Sequence, residues 1–226
     1  MQRKLILTSD GSHTILLPEL NVTYHSIHGA LQESKHVFIE AGLKSLNPAR
    51  KTIVNIFEMG FGTGLNTLLT MIEAENLTRA IHYEAIEQFP LGNTEIGSLN
   101  YCKQLDREDL QPAFEQLHHC ECEKQIELTS RFTFKKIQAN LLNFGTPETF
   151  ELIYFDAFAP NVQPELWTKE IFDKMFEMLE PGGILVTYCS KSDVRRAMQA
   201  AGFTVEKLPG PKGKREIIRG AHPNAI

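Results

Sequence analysis

Ile53-Val-Asn-Ile-Phe-Glu58-Met-Gly60-Phe-Gly62-Thr-Gly64 is an apolar run that ends in a carboxylate and then places glycine at three alternate positions. A buried parallel strand that breaks into such a turn and continues as a helix lets backbone N–H groups approach a ligand closely. The helix is visible in Leu65, Leu68, Leu69 and Ile72, which recur at helical spacing between 64 and 75. The glycine spacing narrows the ligand. Dinucleotide sites use G-x-G-x-x-G, with the third glycine inside the helix. Here the order is E-x-G-x-G-x-G, the form associated with S-adenosylmethionine (SAM), and Glu58, Gly60, Gly62, Gly64 and Asn66 are the cofactor-contacting residues expected of this turn.

Outward from residue 50 the chain alternates strand-like and amphipathic segments, which predicts a parallel sheet covered by helices. Strands are expected at 53–58, 81–86, 132–138, 151–156, 183–189, 203–207 and 214–219. A helix over 169–180 packs Ile171, Phe172, Met175 and Met178 and is expected to stop at Pro181-Gly182-Gly183. The segment 94–130, with its charged stretch Asp106 to Leu117, reads as an elaboration between the second and third strands. Residues 1–46 read as an N-terminal extension, a β-hairpin of Lys4–Thr8 and Thr14–Leu17 followed by a helix from about His28 to Leu43. Residues 47–226 then form the main domain.

Composition sets the outer bounds. At 226 residues, with 42% hydrophobic and 23% charged residues, the chain suits one globular core rather than a disordered or fibrous protein. It has no apolar run of the roughly 18 residues a membrane helix needs, and its start is too soon polar for a secretion signal. A cytoplasmic location with no membrane partner is the expectation. The four cysteines lack the spacing of a disulfide framework and read as reduced thiols. His118-His119-Cys120-Glu121-Cys122 lacks the second distant pair that zinc sites use, so no metal is expected and the cluster reads as a solvated polar loop. A net charge of −5 argues against a wholly basic surface. Lys212, Lys214, Arg215 and Arg219 nevertheless fall close together, with Lys191, Arg195 and Arg196 upstream. Such a cluster can contact phosphates while the rest of the surface stays acidic, and a solvated C-terminal face explains it almost as well.

Ligands of open α/β sheets bind beyond the carboxyl ends of the strands, near the reversal of strand order. Glu58 closes the first strand, where its carboxylate either holds a ligand ammonium or orients the glycine loop. Glu87 closes the second, placed to accept hydrogen bonds from ribose hydroxyls. Asn140 follows the third and can contact an adenine. The fourth ends in Asp156-Ala-Phe158-Ala-Pro160. There a short polar side chain can accept a hydrogen bond from an amine while an aromatic ring packs on it, so Asp156 and Phe158 are the candidate catalytic pair.

Phe61-Gly-Thr-Gly-Leu-Asn66, Ile86-Glu87-Gln-Phe-Pro-Leu91, Asp156-Ala-Phe-Ala-Pro160 with Pro164-Glu-Leu-Trp167-Thr168, and Lys214-Arg-Glu216 together resemble the tRNA 5-methylaminomethyl-2-thiouridine methyltransferase family. The order matches, and Ser26-x-x-Gly29-Ala-x-x-Glu33 extends the resemblance to the N-terminal region. It implies a Rossmann-like class I α/β fold of seven mostly parallel strands, the last antiparallel. It further implies SAM-dependent methylation of a 5-aminomethyl group on the wobble uridine of tRNA, with the basic cluster contacting RNA and the N-terminal hairpin covering the cofactor or positioning RNA. Many members carry a fused flavin-dependent oxidase; no second glycine fingerprint occurs here, so the chain looks like the stand-alone methyltransferase with no FAD domain. Asn140 stands where an aspartate is expected. A carboxylate with an ordinary pKa near 4 is a poor base for an alkylammonium, so Asp156 is expected to orient the amine rather than take its proton. The rival readings are a small-molecule methyltransferase or aminopropyltransferase of the same fold, and a non-catalytic RNA-binding module.

Overall fold

The computed structural model describes residues 2–47 and 51–223. An N-terminal three-stranded sheet is built from β1 (Lys4–Leu7), β2 (His13–Leu17) and β3 (Val22–Thr23). The expected hairpin is its β1–β2 half, closed by a turn in which Asp10 Oδ1 accepts hydrogen bonds from Thr8 and from the Ser12 backbone. The following helix is not uniform: α1 (Ala30–Ser34) widens into a π-helical stretch over Lys35–Glu40, and a 3₁₀ turn follows at Leu43–Ser45. The boundary expected near residues 46–47 abuts residues 48–50, which lie outside the described residues.

The central sheet is assembled from β4 (Ile53–Met59), β5 (Ala80–Ile86), β6 (Gln125–Thr129), β7 (Phe132–Ile137), β8 (Phe150–Phe155), β9 (Leu179–Thr187), β10 (Thr204–Pro209) and β11 (Glu216–Ala221). Their order is β10-β11-β9-β8-β4-β5-β7-β6. β7, β5, β4, β8 and β9 run parallel, and β11 inserts antiparallel beside β9, as the sequence implied. Strand number is corrected from seven to eight. The extra strand, β6, is short and polar on one side, and it pairs antiparallel with β7 at the sheet edge.

Helices cover both faces. α2 (Leu65–Ala74) follows the glycine turn, and α3 (Asn93–Ser98), α4 (Tyr101–Gln104) and α5 (Gln111–His119) fill the long segment between β5 and β6. α6 (Lys169–Met178) and α7 (Ser192–Ala200) cover the other face. Every residue of β8 is buried, as expected of a central parallel strand sealed on both sides. Alternation along β4 splits the core: Val54 and Ile56 face Leu68, Phe38 and Ile15, whereas Phe57 and Met59 face Phe172, Met175 and Trp167. The N-terminal extension therefore shares the α2-side core, and Phe38, fully buried there, contributes roughly 1.5–3 kcal/mol.

A second correction concerns Pro181-Gly182-Gly183. These residues do not separate α6 from the next strand; β9 begins directly at Leu179 and runs through them as an irregularity in its pairing with β8. The end of β11 makes this possible, because Gly182 N–H donates to the His222 carbonyl and His222 N–H donates to that of Gly183, each at 2.9 Å.

Candidate active site

Strand order reverses between β4 and β8, and their carboxyl ends meet at a cavity of about 1110 Å³. Gly60 follows β4 with φ +91°, and a Cβ there would lie 2.5 Å from the Asp156 carbonyl. Only glycine lets the two strand ends close to this distance. Gly62 (φ +48°) would place a Cβ 3.0 Å from the Tyr24 ring, so the turn keeps its backbone close against the cavity wall. Gly64, in left-handed geometry, caps α2 and packs near His118 and Phe61.

Of the residues expected to contact cofactor, Gly60, Gly62, Glu87 and Asn140 line the cavity. The Glu87 carboxylate is fixed at both oxygens: Gly62 N–H donates to Oε2 at 2.9 Å and Phe89 N–H to Oε1 at 2.8 Å. Asn140 Oδ1 accepts from Leu142 N–H at 2.9 Å, which shapes the loop after β7. Glu58, Gly64 and Asn66 are not in the lining. Glu58 is fully buried beneath the turn, where Asn66 Nδ2 donates to Oε1 and Thr67 Oγ1 to Oε2, both at 2.9 Å. Of the two roles the sequence left open for Glu58, the geometry matches orientation of the loop and helix. Burial pushes its carboxyl up to about 8 against the hydrogen bond from Asn66.

Asn66 Nδ2 also donates to Asp156 Oδ2 at 2.9 Å, coupling the helix after the glycine turn to the loop after β8. Among the described residues no donor reaches Asp156 Oδ1. Asp156 lines the cavity, and burial pushes its carboxyl up to about 7; the hydrogen bond from Asn66 opposes this, Glu33 adds to it and Lys214 counters it. The carboxyl thus lies above the ordinary carboxylate value assumed in the sequence reading, which brings it closer to the range of a proton acceptor. A carboxylate near 7 is matched to proton transfer at neutral pH. Phe158 packs its ring against Tyr24 edge to face, with centroids 5.1 Å apart, and Trp167 Nε1–H holds the Phe158 carbonyl at 2.8 Å. The residues Pro164–Thr168 quoted from the sequence thus anchor the aromatic loop.

The segment expected to touch RNA divides. Lys212 and Arg215 are exposed. Arg219 is turned along the sheet, 2.6 Å from Glu206 and 3.2 Å from the Ala41 carbonyl. Lys214 is corrected from a surface cation to a cavity residue: it pairs with Glu33 and lies 3.9 Å from the centroid of the Tyr188 ring.

The His118–Cys122 reading also changes. His118 is buried against Phe61 and Phe114, and its Nε2–H donates to the Thr63 carbonyl at 3.2 Å. His25, from the extension, meets the Thr63 hydroxyl at 2.6 Å. Burial holds both imidazoles neutral, His25 down to about 4 and His118 down to about 3. These histidines brace the glycine turn from two sides. Tyr24, His25, Glu33 and Tyr188 were not singled out from the sequence as site residues. Only Glu33 carried a signal, at the end of the Ser26–Glu33 stretch.

A sequence profile described as S-adenosyl-L-methionine-dependent methyltransferase matches residues 100–223. The bifunctional protein MnmC of Cupriavidus metallidurans, named for tRNA 5-methylaminomethyl-2-thiouridine biosynthesis, is 32% identical over 94% of this chain, and that of Aromatoleum aromaticum is 30% identical over 97%. The chain spans about a third of the length of each, 33% and 35% respectively. The crystal structure of MNMC2 from Aquifex aeolicus shares the fold across the whole chain, with a TM-score of 0.76 at 21% identity and 72% of that chain covered.

Proposed function

The chain belongs to the S-adenosyl-L-methionine-dependent methyltransferases, and we propose that it methylates the primary amine of a 5-aminomethyl-(2-thio)uridine at the wobble position of tRNA. The observation that carries this reading is Asp156 in the wall of a cavity it shares with the glycine turn, flanked by the Tyr24 and Phe158 rings. Its volume, about 1110 Å³, exceeds the roughly 300–1,000 Å³ of ordinary small-ligand sites. Room remains for a planar acceptor beside a nucleoside cofactor. The names of the MnmC relatives, given for tRNA 5-methylaminomethyl-2-thiouridine biosynthesis, support this choice of acceptor, and a cytoplasmic reaction is part of the same proposal.

The residues present fit SAM. The close approach at Gly60 and Gly62 leaves the turn without side chains where a ligand comes nearest, and the fixed Glu87 carboxylate can hold ribose hydroxyls. Bound SAM supplies an electrophilic methyl group. The chain's own contribution is alignment and proton handling. Asp156, tied at Oδ2 by Asn66, offers Oδ1 to an amine N–H and keeps the lone pair directed, while Tyr24 and Phe158 confine the flat base. Lys212 and Arg215 contact RNA phosphates outside the cavity.

The test combines the purified chain, SAM and tRNA bearing 5-aminomethyl-2-thiouridine, followed by mass spectrometry of the released nucleosides. Conversion of the aminomethyl nucleoside to its N-methyl form is expected. Methylation of polyamines or other free amines, with none on this tRNA, would replace the proposed acceptor by a small molecule.

A further inference from the structure

Two charges of the cavity wall, Glu33 buried and Lys214 half-buried, have no role in the reading above. Glu33 comes from α1, and its exposure is 7%. Its Oε2 accepts from Ser26 N–H at 2.8 Å, and its Oε1 is paired with Lys214. Lys214 arrives from the opposite end of the chain, in the loop between β10 and β11. That loop and the end of β10 are seated on the extension: a Cβ on Gly213 would strike the His28 ring, and the Pro209 carbonyl lies 2.7 Å from His36 Nε2. On its other side Lys214 sits against the Tyr188 ring, whose hydroxyl donates to the Ala157 carbonyl at 2.8 Å, one residue from Asp156. Glu33, Lys214, Tyr188 and Asp156 all line the one cavity.

We propose that Glu33 and Lys214 are positioning residues of the methyl transfer: their ion pair locks the N-terminal extension onto the β10–β11 loop and sets the electrostatic environment in which the acceptor amine is held. The inference rests on the amine-methylation reading above. An aliphatic amine in water is mostly an ammonium at neutral pH, and only its proton-free form has the lone pair that attacks a methyl carbon. A fixed cation beside the amine disfavours the ammonium. Lys214 is that cation. A lone lysine would also repel substrate and be costly to bury, so Glu33 holds it in place and offsets part of its charge.

The same two charges act on Asp156 with opposite sign, Glu33 raising its proton affinity and Lys214 lowering it. The other groups facing Asp156 are Asn66 from α2, Glu58 from β4 and Tyr188 after β9, and none of them is a cation. Lys214 is the positive partner in this group, so its removal leaves Asp156 facing Glu33 and Glu58 with no cation among them.

The experiment compares wild type, Lys214→Met, Glu33→Gln and the double variant by two readouts. One is the titration of the Asp156 side-chain carbon by ¹³C NMR, assigned with Asp156→Asn; the other is the pH dependence of kcat on aminomethyl-bearing tRNA. Lys214→Met should move the Asp156 midpoint and the acid limb of kcat to higher pH, on the order of one unit. Glu33→Gln should move both to lower pH, and the double variant should return towards wild type. Calorimetry with SAM reports that each variant is folded, and unchanged affinity is expected. Folded variants whose midpoints do not move, or move in one direction, overturn the proposal. Opposite NMR shifts in a chain that methylates no such tRNA would leave the electrostatic role standing and remove the proposed substrate instead.

Discussion

The cavity has two ends built in different ways. At the end proposed to hold cofactor, the turn Gly60–Gly64 and Glu87 follow two adjacent parallel strands, and most of their hydrogen bonds are local to those strand ends. At the end proposed to hold the acceptor, Asp156, Glu33, Lys214, Tyr24 and Tyr188 come from five separate segments and meet only when the whole sheet and the extension are assembled. The first end is encoded as backbone geometry and the second as side-chain charge. Damage to the first should therefore appear in cofactor affinity, and damage to the second in turnover.

The sharpest separation is expected at Asp156. Asp156→Ala removes the carboxylate proposed to face the amine and should lower kcat by about 10²-fold or more, with SAM affinity unchanged. Asp156→Asn keeps an acceptor oxygen but loses the charge and the proton acceptor, so it should fall between the two. Single-turnover assays give the order. Wild-type turnover in Asp156→Ala would break the division by moving chemistry away from this end.

Glu87→Ala is the counterpart at the cofactor end. Its carboxylate accepts backbone N–H bonds from Gly62 and Phe89 and faces the cavity. Removing it should weaken SAM by roughly 1.5–3 kcal/mol, measured by calorimetry, and leave single-turnover rates at saturating SAM close to wild type. A selective loss of rate with intact affinity would show that the two ends are not separable.

This contrast also explains what could be read from the chain alone. The glycine turn, its flanking strand and α2 were legible because strand periodicity, three glycines and helical spacing are all written within a single stretch of about 25 residues. The same local logic recovered the central strands. It missed β6, whose polar side faces away from the sheet interior, and it placed a helix stop at Pro181-Gly182-Gly183, where pairing with a distant strand carries β9 through. It also read Lys214 as part of a charge run. Nothing in local spacing distinguishes an exposed lysine from one captured by Glu33 across 181 positions of sequence. His118 failed as a surface residue for the same reason, since its partners Phe61 and Thr63 lie on the glycine turn.

Glu58 tests whether the cofactor end is held from below rather than by ligand contact. Its carboxyl is raised from 4.5 to about 8 by burial, so the folded protein favours the protonated form. Its contribution to stability is fully present below pH 4.5 and is lost as pH rises through about 8; Asp156, raised from 3.8 to about 7, adds a term of the same sign over a lower window. Glu58→Gln should remove part of this slope. Its Tm should fall less than that of wild type between pH 5 and pH 9, with SAM affinity retained. Parallel Tm profiles would mean that Glu58 is ionised in the folded protein, and a large loss of affinity would return it to the ligand.

The smallest effect is expected in the basic segment Lys212–Arg219. With Lys214 paired to Glu33 and Arg219 to Glu206, the cations of this group left exposed are Lys212 and Arg215. Two phosphate contacts at a surface carry a modest, salt-dependent share of RNA affinity. Lys212→Glu/Arg215→Glu should raise the KM for tRNA several-fold and flatten its dependence on salt, leaving kcat and SAM affinity alone. Lys214→Glu, by contrast, would place a third acidic side chain beside Glu33 and Asp156 and should act on kcat. If both substitutions raise KM equally and neither touches kcat, Lys214 reaches RNA after all and is no part of the acceptor end. If Lys212→Glu/Arg215→Glu leaves tRNA kinetics unchanged at every salt concentration, the RNA lies on another face.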